Sequence, residues 1–148
     1  MADEPQLHRA TGEELDAATM YAMLRLRIEV FVVEQASPWQ DLDGLDLIES
    51  TLHLWLAPPG EPARPLAYLR LLRPSPPPWR IGRVCVALPA RGRGLAATLM
   101  RAALTELGDR PCTLGAQSHL AGFYAAYGFA VTGEEYIEDG IPHLPMAR

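Results

Sequence analysis

The residues best arranged to do chemistry are Arg91-Gly92-Arg93-Gly94-Leu95-Ala96, which run straight into a helical pattern at Leu95–Leu107. The start of a helix presents unsatisfied backbone N–H groups and the positive end of the dipole, so it favours an anion. Glycines let a phosphate approach the backbone closely, and two guanidinium groups add charge-assisted bonds. Such a loop suits a pyrophosphate or a sugar phosphate like those of coenzyme A. The competing reading is an Arg/Gly surface turn.

Other phosphate-binding patterns fit less well. Gly92-x-Gly94-x-x-Ala97 satisfies the dinucleotide glycine spacing, but that motif calls for an acid about 20 residues on, at a strand end. Here the next strand ends in Gly115-Ala116-Gln117. The chain has no lysine and no asparagine, so all 13 basic residues are arginines. That excludes a P-loop lysine, a Schiff-base lysine and a Cys-His-Asn triad.

Acids and thiols supply weaker signals. Asp41, Asp43, Asp46 and Glu49 crowd one turn-rich stretch, which reads either as a solvated acidic loop or as an attractor of a protonated amine. Its Asp-x-Asp-Gly run resembles the opening of a calcium loop, yet Leu52 stands where the bidentate glutamate belongs. Cys85 and Cys112 have no paired C-x-x-C or H-x-x-x-H spacing around them, so no metal is expected, and Cys85 as an acyl-carrying nucleophile is a minor alternative.

These groups need a scaffold to hold them. Thr11-Gly12-Glu13-Glu14 has the capping-box pattern, and Met20, Leu24, Ile28 and Phe31 recur at helical spacing. Together they predict a helix over roughly 14–33, with Arg25 and Arg27 turned off its apolar face. Gln35 to Ser50 is expected to be a long surface loop. Thr51 to Ala57, Pro65 to Leu72 and Arg80 to Ala87, split by proline-rich turns, predict an antiparallel meander. The helix from Leu95 stops at Gly108, Pro111 to Gly115 reads as a strand, and Ser118 as an N-cap. Leu120, Phe123, Tyr124 and Tyr127 form one helical face, and Ala130 to Thr132 with His143 to Met146 close the sheet. The class is α/β with a mixed sheet.

Length and charge narrow the role. At 148 residues with 49% apolar residues, the chain suits one globular domain, and its net charge of −5 disfavours a nucleic-acid partner. Met1-Ala2-Asp3-Glu4-Pro5 places acids where a signal peptide carries bases, and no apolar run approaches the roughly 18 residues of a membrane span. The expectation is a cytoplasmic protein with reduced cysteines, whether monomer or homodimer.

Two motifs then converge. Val84-Cys85-Val86-Ala87-Leu88-Pro89-Ala90 leading into Arg91-Gly92-Arg93-Gly94-Leu95-Ala96 resembles the strand, V-x-x-P-x and R-G-x-G-x-A signature of the GNAT N-acetyltransferase superfamily. Phe123-Tyr124-Ala125-Ala126-Tyr127-Gly128-Phe129 is similar to that family's second signature, a tyrosine four residues before Gly-Phe. The likeness extends over nearly the whole chain to the ElaA-like branch, through Leu26 to Gln35, Trp39 to Gly44 and Glu138 to His143.

This resemblance implies a single GNAT domain: a mixed, mostly antiparallel sheet flanked by helices, with acyl-CoA in a strand cleft. It implies an N-acetyltransferase that takes acetyl-CoA as acyl donor and a small-molecule or peptide primary amine as acceptor. The alternatives are a silent acyl-CoA sensor, or a transferase of another acyl group or to another acceptor. Val84, Cys85 and Val86 would lie along pantetheine, and Arg91, Gly92, Arg93, Gly94, Leu95 and Ala96 would hold the pyrophosphate. Gln117 stands where the family often has a cofactor-contacting asparagine. Tyr124 is the expected general acid to the leaving sulfur. The strand Ile81 to Val86 lacks the glutamate many relatives use as a base. Among Glu34, His143, His119 and Glu138, the first two lie in segments distinctive of the ElaA-like branch.

Overall fold

Alternation organises the centre of the molecule. In Thr51–Ala57 (β2), Leu52, Leu54 and Leu56 point to one face and His53, Trp55 and Ala57 to the other. Every residue of this strand is buried, because helices cover both faces. Ala67–Leu72 (β3) repeats the pattern, with Leu69 and Leu71 on the first face and Tyr68 on the second.

The computed structural model describes residues 4–148, so Met1–Asp3 of the acidic start lie outside it. Besides β2 and β3 the sheet contains Gln6–Thr11 (β1), Trp79–Val86 (β4), Cys112–Gln117 (β5), Ala130–Val131 (β6), Tyr136–Glu138 (β7) and Ile141–Ala147 (β8). The order is β1-β2-β3-β4-β5-β8-β6, with β7 also pairing to β8. All pairs are antiparallel except β4–β5, which is parallel. The mixed, mostly antiparallel sheet flanked by helices is the one expected. No helix among the described residues is long and apolar enough to cross a membrane.

Leu95–Leu107 (α2) lays Leu95, Leu99, Met100, Ala103 and Leu107 against the leucine face of β2 and β3. Leu99 is fully buried, and truncating such a residue to alanine costs about 2–5 kcal/mol. The opposite face is covered by Ala17–Ile28 (α1), whose Met23 and Leu26 pack on Trp55, Tyr68 and Cys85. α1 runs on as a π-helical segment, Glu29–Glu34, and a 3-10 turn at Ser118–Leu120 leads into Ala121–Ala125 (α3).

Four expectations are corrected. The cap of α1 is Asp16, which accepts from the Thr19 N–H at 2.7 Å, while Glu14 closes a separate turn onto the Thr11 N–H. The buried face of α1 is Met20, Met23, Leu26 and Val30 together with Arg27, whereas Ile28 is exposed; a buried cation on that face shifts the apparent stripe. β1 and β7 were not foreseen, since polar His8, Arg9 and Glu138 obscure their alternation. Ser118 donates to Glu135 at 2.8 Å instead of capping a helix.

The feature that makes a site is the failure of β4 and β5 to stay paired. Their register is confined to Trp79↔Cys112 and Arg80↔Thr113, after which the strands part. A bulge adds to the divergence: Tyr68 faces Cys85 and Arg70 faces Gly82, so β4 has one residue more than β3 between them. Arg83 takes the strain at φ +57°.

Candidate active site

The glycine loop Arg91 to Ala96 has the left-handed backbone that its glycines foretold. Gly92 and Gly94 sit at φ +80° and +71°, left-handed conformations that any other residue adopts at a cost. Gly94 is the N-cap of α2 and no side chain caps the helix. The Thr98 N–H is the first to bond back, to the Gly94 carbonyl at 3.1 Å, so the donors before it face outward. Leu95 is buried and fixes the helix start in the core, while Ala96 is half-buried and Arg91 through Gly94 are exposed.

Arg91 is already engaged. Its Nε donates to the Val86 carbonyl at 3.1 Å and its Nη2 to Glu34 at 2.8 Å. Because the Ala87 N–H donates to Leu66 on the β3 side at 2.8 Å, alternation turns both the N–H and the carbonyl of Val86 toward the gap. The open edge of β4 therefore begins beside the loop. Arg93 makes no ion pair among the described residues.

The gap widens into a cavity of about 160 Å³ whose walls include Val84, Gln117, Tyr124 and His143. Phe31 and Trp39, edge to face at 6.4 Å, form its aromatic side. Gln117 donates to Gln35 at 3.4 Å across the mouth. The structure thus gathers Val84, Gln117, Tyr124 and His143 around one space. Glu34 is absent from that lining and points to Arg91; His119 is exposed and also outside it.

Hydrogen bonding fixes the imidazole. His143 Nδ1 lies 2.7 Å from the Ile141 carbonyl, which can only accept, so in the neutral ring Nδ1 carries the proton and Nε2 keeps a lone pair. Glu138 approaches Nε2 at 3.8 Å. Tyr124 is 8% exposed, and burial pushes its hydroxyl up to about 12. It remains a donor at any ordinary pH. Cys85 faces the other way, into the core beneath α1, where burial likewise pushes its thiol up to about 12. A thiol held protonated there is a poor nucleophile.

The acidic stretch Gln35 to Ser50 differs most from expectation. Asp41 and Asp46 are buried, not solvated. Arg27, with no exposed surface, binds Asp41 at 2.9 Å and Asp46 at 2.6 Å. Arg70 pairs with Asp43 and Asp46, and Arg83 with Asp41 and Asp43 while stacking 4.4 Å above the Trp39 ring. Three arginines and three aspartates cancel, so this loop is not a free negative field for an amine. It is a folded wall of the cavity. Sequence reading missed it because the cations come from α1, β3 and β4.

Comparison with known proteins agrees with this geometry. The family model for the acetyltransferase (GNAT) domain matches residues 11–148. The ElaA protein of Escherichia coli is 40% identical, the match covering 100% of this chain and 97% of ElaA. A UPF0039 protein of Mycobacterium tuberculosis is 46% identical over 96% of this chain and 92% of its own. Among solved structures, an acyl-CoA N-acyltransferase from Pseudomonas aeruginosa superposes with a TM-score of 0.90 at 43% identity, covering 97% of this chain and 99% of that one. The crystal structure of Escherichia coli ElaA gives 0.84 at 37% identity, covering 97% and 99%.

Proposed function

The chain belongs to the GNAT acetyltransferase family, and from that premise we propose that it moves an acetyl group from acetyl-CoA to a primary amine by direct attack. One observation carries the reading: the open edge of β4 runs from an uncapped helix start to a cavity containing Tyr124 and His143. Acetyl-CoA supplies an activated carbonyl and a thiolate leaving group.

The chain's own residues provide the rest. The N–H groups before Thr98, with Arg91 and Arg93, hold the pyrophosphate. The edge of Val84 to Val86 aligns pantetheine, and a backbone N–H there stabilises charge on the carbonyl oxygen. His143 Nε2 takes the amine proton, directly or through one water, and Glu138 balances the imidazolium. Tyr124 donates a hydrogen bond to the departing sulfur. An ordinary thiol titrates near 8.5, well below this hydroxyl, so stabilising the thiolate is favoured over full proton transfer. Gln117 borders the reacting atoms, and Glu34 orients Arg91.

The test pairs calorimetry with thiol release. Acetyl-CoA should bind, and free thiol should appear only when an amine is added. An absence of binding heat sinks the proposal. Binding without thiol release from amines or alcohols would favour a silent acyl-CoA sensor, and faster release from other thioesters a different acyl group.

A further inference from the structure

We propose that the acceptor is a primary amine that also bears a carboxylate, held by Arg80 at the Gly115 end of the cavity, away from His143; this rests on the acyltransferase reading above. Arg80 lines the cavity at the far end of β4 from the phosphate loop. The six residue steps from Arg80 to Val86 span roughly 20 Å, so Arg80 is poorly placed to serve the pyrophosphate. It is also uncommitted. Arg70 and Arg83, in the same walls, are each bound by aspartates, whereas the hydrogen bond Arg80 makes among the described residues is a long one, 3.4 Å to the Thr113 hydroxyl.

Gly115 lines the same cavity, and its missing side chain lets Arg80 and Tyr136 lie close over the strand. A Cβ at that position would stand 3.2 Å from Arg80 Nη2 and 2.4 Å from the Tyr136 hydroxyl. The bare strand thus lets a guanidinium and a hydroxyl converge on one point, and that hydroxyl has no hydrogen-bond partner among the described residues. The Tyr136 ring stacks on His143 with centroids 5.6 Å apart. Gly115 lies two residues before Gln117, which is registered opposite His143, and residues two apart on a strand are separated by about 7 Å. The donors and the base are therefore spaced for the two ends of a small amino acid.

The other end of the cavity has the complementary sign. Glu138 and Asp139 line it next to His143, where they attract an ammonium group before it is deprotonated. A plain alkylamine would leave the exposed Arg80 with only the Thr113 hydroxyl and water, and no anionic partner. Charge-assisted hydrogen bonds to a carboxylate are stronger than neutral ones, so a free carboxylate is preferred to its neutral analogue.

The experiment follows thiol release from acetyl-CoA with pools of free amino acids, including ω-amino acids, against pools of their carboxamides. At least tenfold higher kcat/KM is expected for the free carboxylates. Arg80→Gln should erase that preference through KM rather than kcat, while acetyl-CoA binds with wild-type affinity. Gly115→Ala, which displaces the Tyr136 hydroxyl, should weaken it in the same direction. Equal use of carboxamides, or an Arg80→Gln defect that falls alike on both pools, overturns the inference and leaves the acyltransferase reading intact. So does acetyl-CoA binding with neither turnover nor calorimetric binding of any amino acid to the CoA-loaded protein. If acetyl-CoA itself fails to bind, the acyltransferase reading falls first.

Discussion

Two arginine clusters flank the cleft, and they are opposites. Arg27, Arg70 and Arg83 are buried or nearly so and matched one for one by Asp41, Asp43 and Asp46. Arg91 and Arg93 are exposed, and the one ion pair they make among the described residues, Arg91 to Glu34, is about two-fifths open to water. The first cluster has been desolvated during folding and has no spare charge for a ligand. The second has kept its charge available. The same residue type therefore builds a wall in one place and, in the proposed function, a receptor in the other, and the difference lies in pairing and burial.

The comparison breaks most visibly at Arg27. Replacing it with alanine removes the fully buried partner of two carboxylates, leaving Asp41 only Arg83 and Asp46 only Arg70, which should cost about 3–5 kcal/mol in denaturant melts; a loss under 1 kcal/mol would mean the cluster is not a structural wall. Next is the double variant Arg91→Glu/Arg93→Glu. It should weaken acetyl-CoA binding about 10- to 100-fold, given roughly 1.5–3 kcal/mol for hydrogen bonds to charged groups, while stability moves by under about 1 kcal/mol. Calorimetry and a thermal melt on the same sample separate those outcomes. Tyr124→Phe should lower kcat about 10- to 100-fold by the same magnitude, with acetyl-CoA affinity retained; unchanged kcat would return the tyrosine to core packing alone.

The smallest effect is on pH. The hydrogen bond from Arg70 holds the Asp43 carboxyl well below the usual carboxylate range. A depressed folded value stabilises the protein fully above the unfolded value near 3.9 and is lost as pH falls through the lower one. Melting temperature should drop on the acid side of about pH 4, and Asp43→Asn should flatten that limb. An equal drop in wild type and variant would remove Asp43 from the account.

What the sequence revealed follows from whether the cause is local. β2 and α2 are found at Thr51–Ala57 and Leu95–Leu107, as alternation, helical spacing and Gly108 predict. The phosphate loop is equally local, because its glycine conformations and the helix start lie within six residues. Tyr124, Gln117 and His143 could be nominated from resemblance, but their sharing of one cavity depends on β5 pairing with β8. The acidic loop was misread for the converse reason. Its aspartates look solvated until α1, β3 and β4 bring arginines from 14 to 42 positions away. Arg80, Gly115 and Tyr136 are likewise joined only by strand register.

One turn of chain touches both ends of the cleft. The π-helical segment Glu29–Glu34 presents Glu34 to Arg91 at the glycine loop, while its Phe31 and the adjacent Gln35 line the cavity. Such segments concentrate at working sites because their wider winding can redirect a side chain. If a phosphate draws Arg91 away from Glu34 and the segment shifts, the cavity wall shifts with it. Thermodynamic linkage then requires the reverse: an acceptor that settles against Phe31 must alter the grip on the nucleotide by the same factor. The two substrates would be in communication through six residues, without any motion of the sheet.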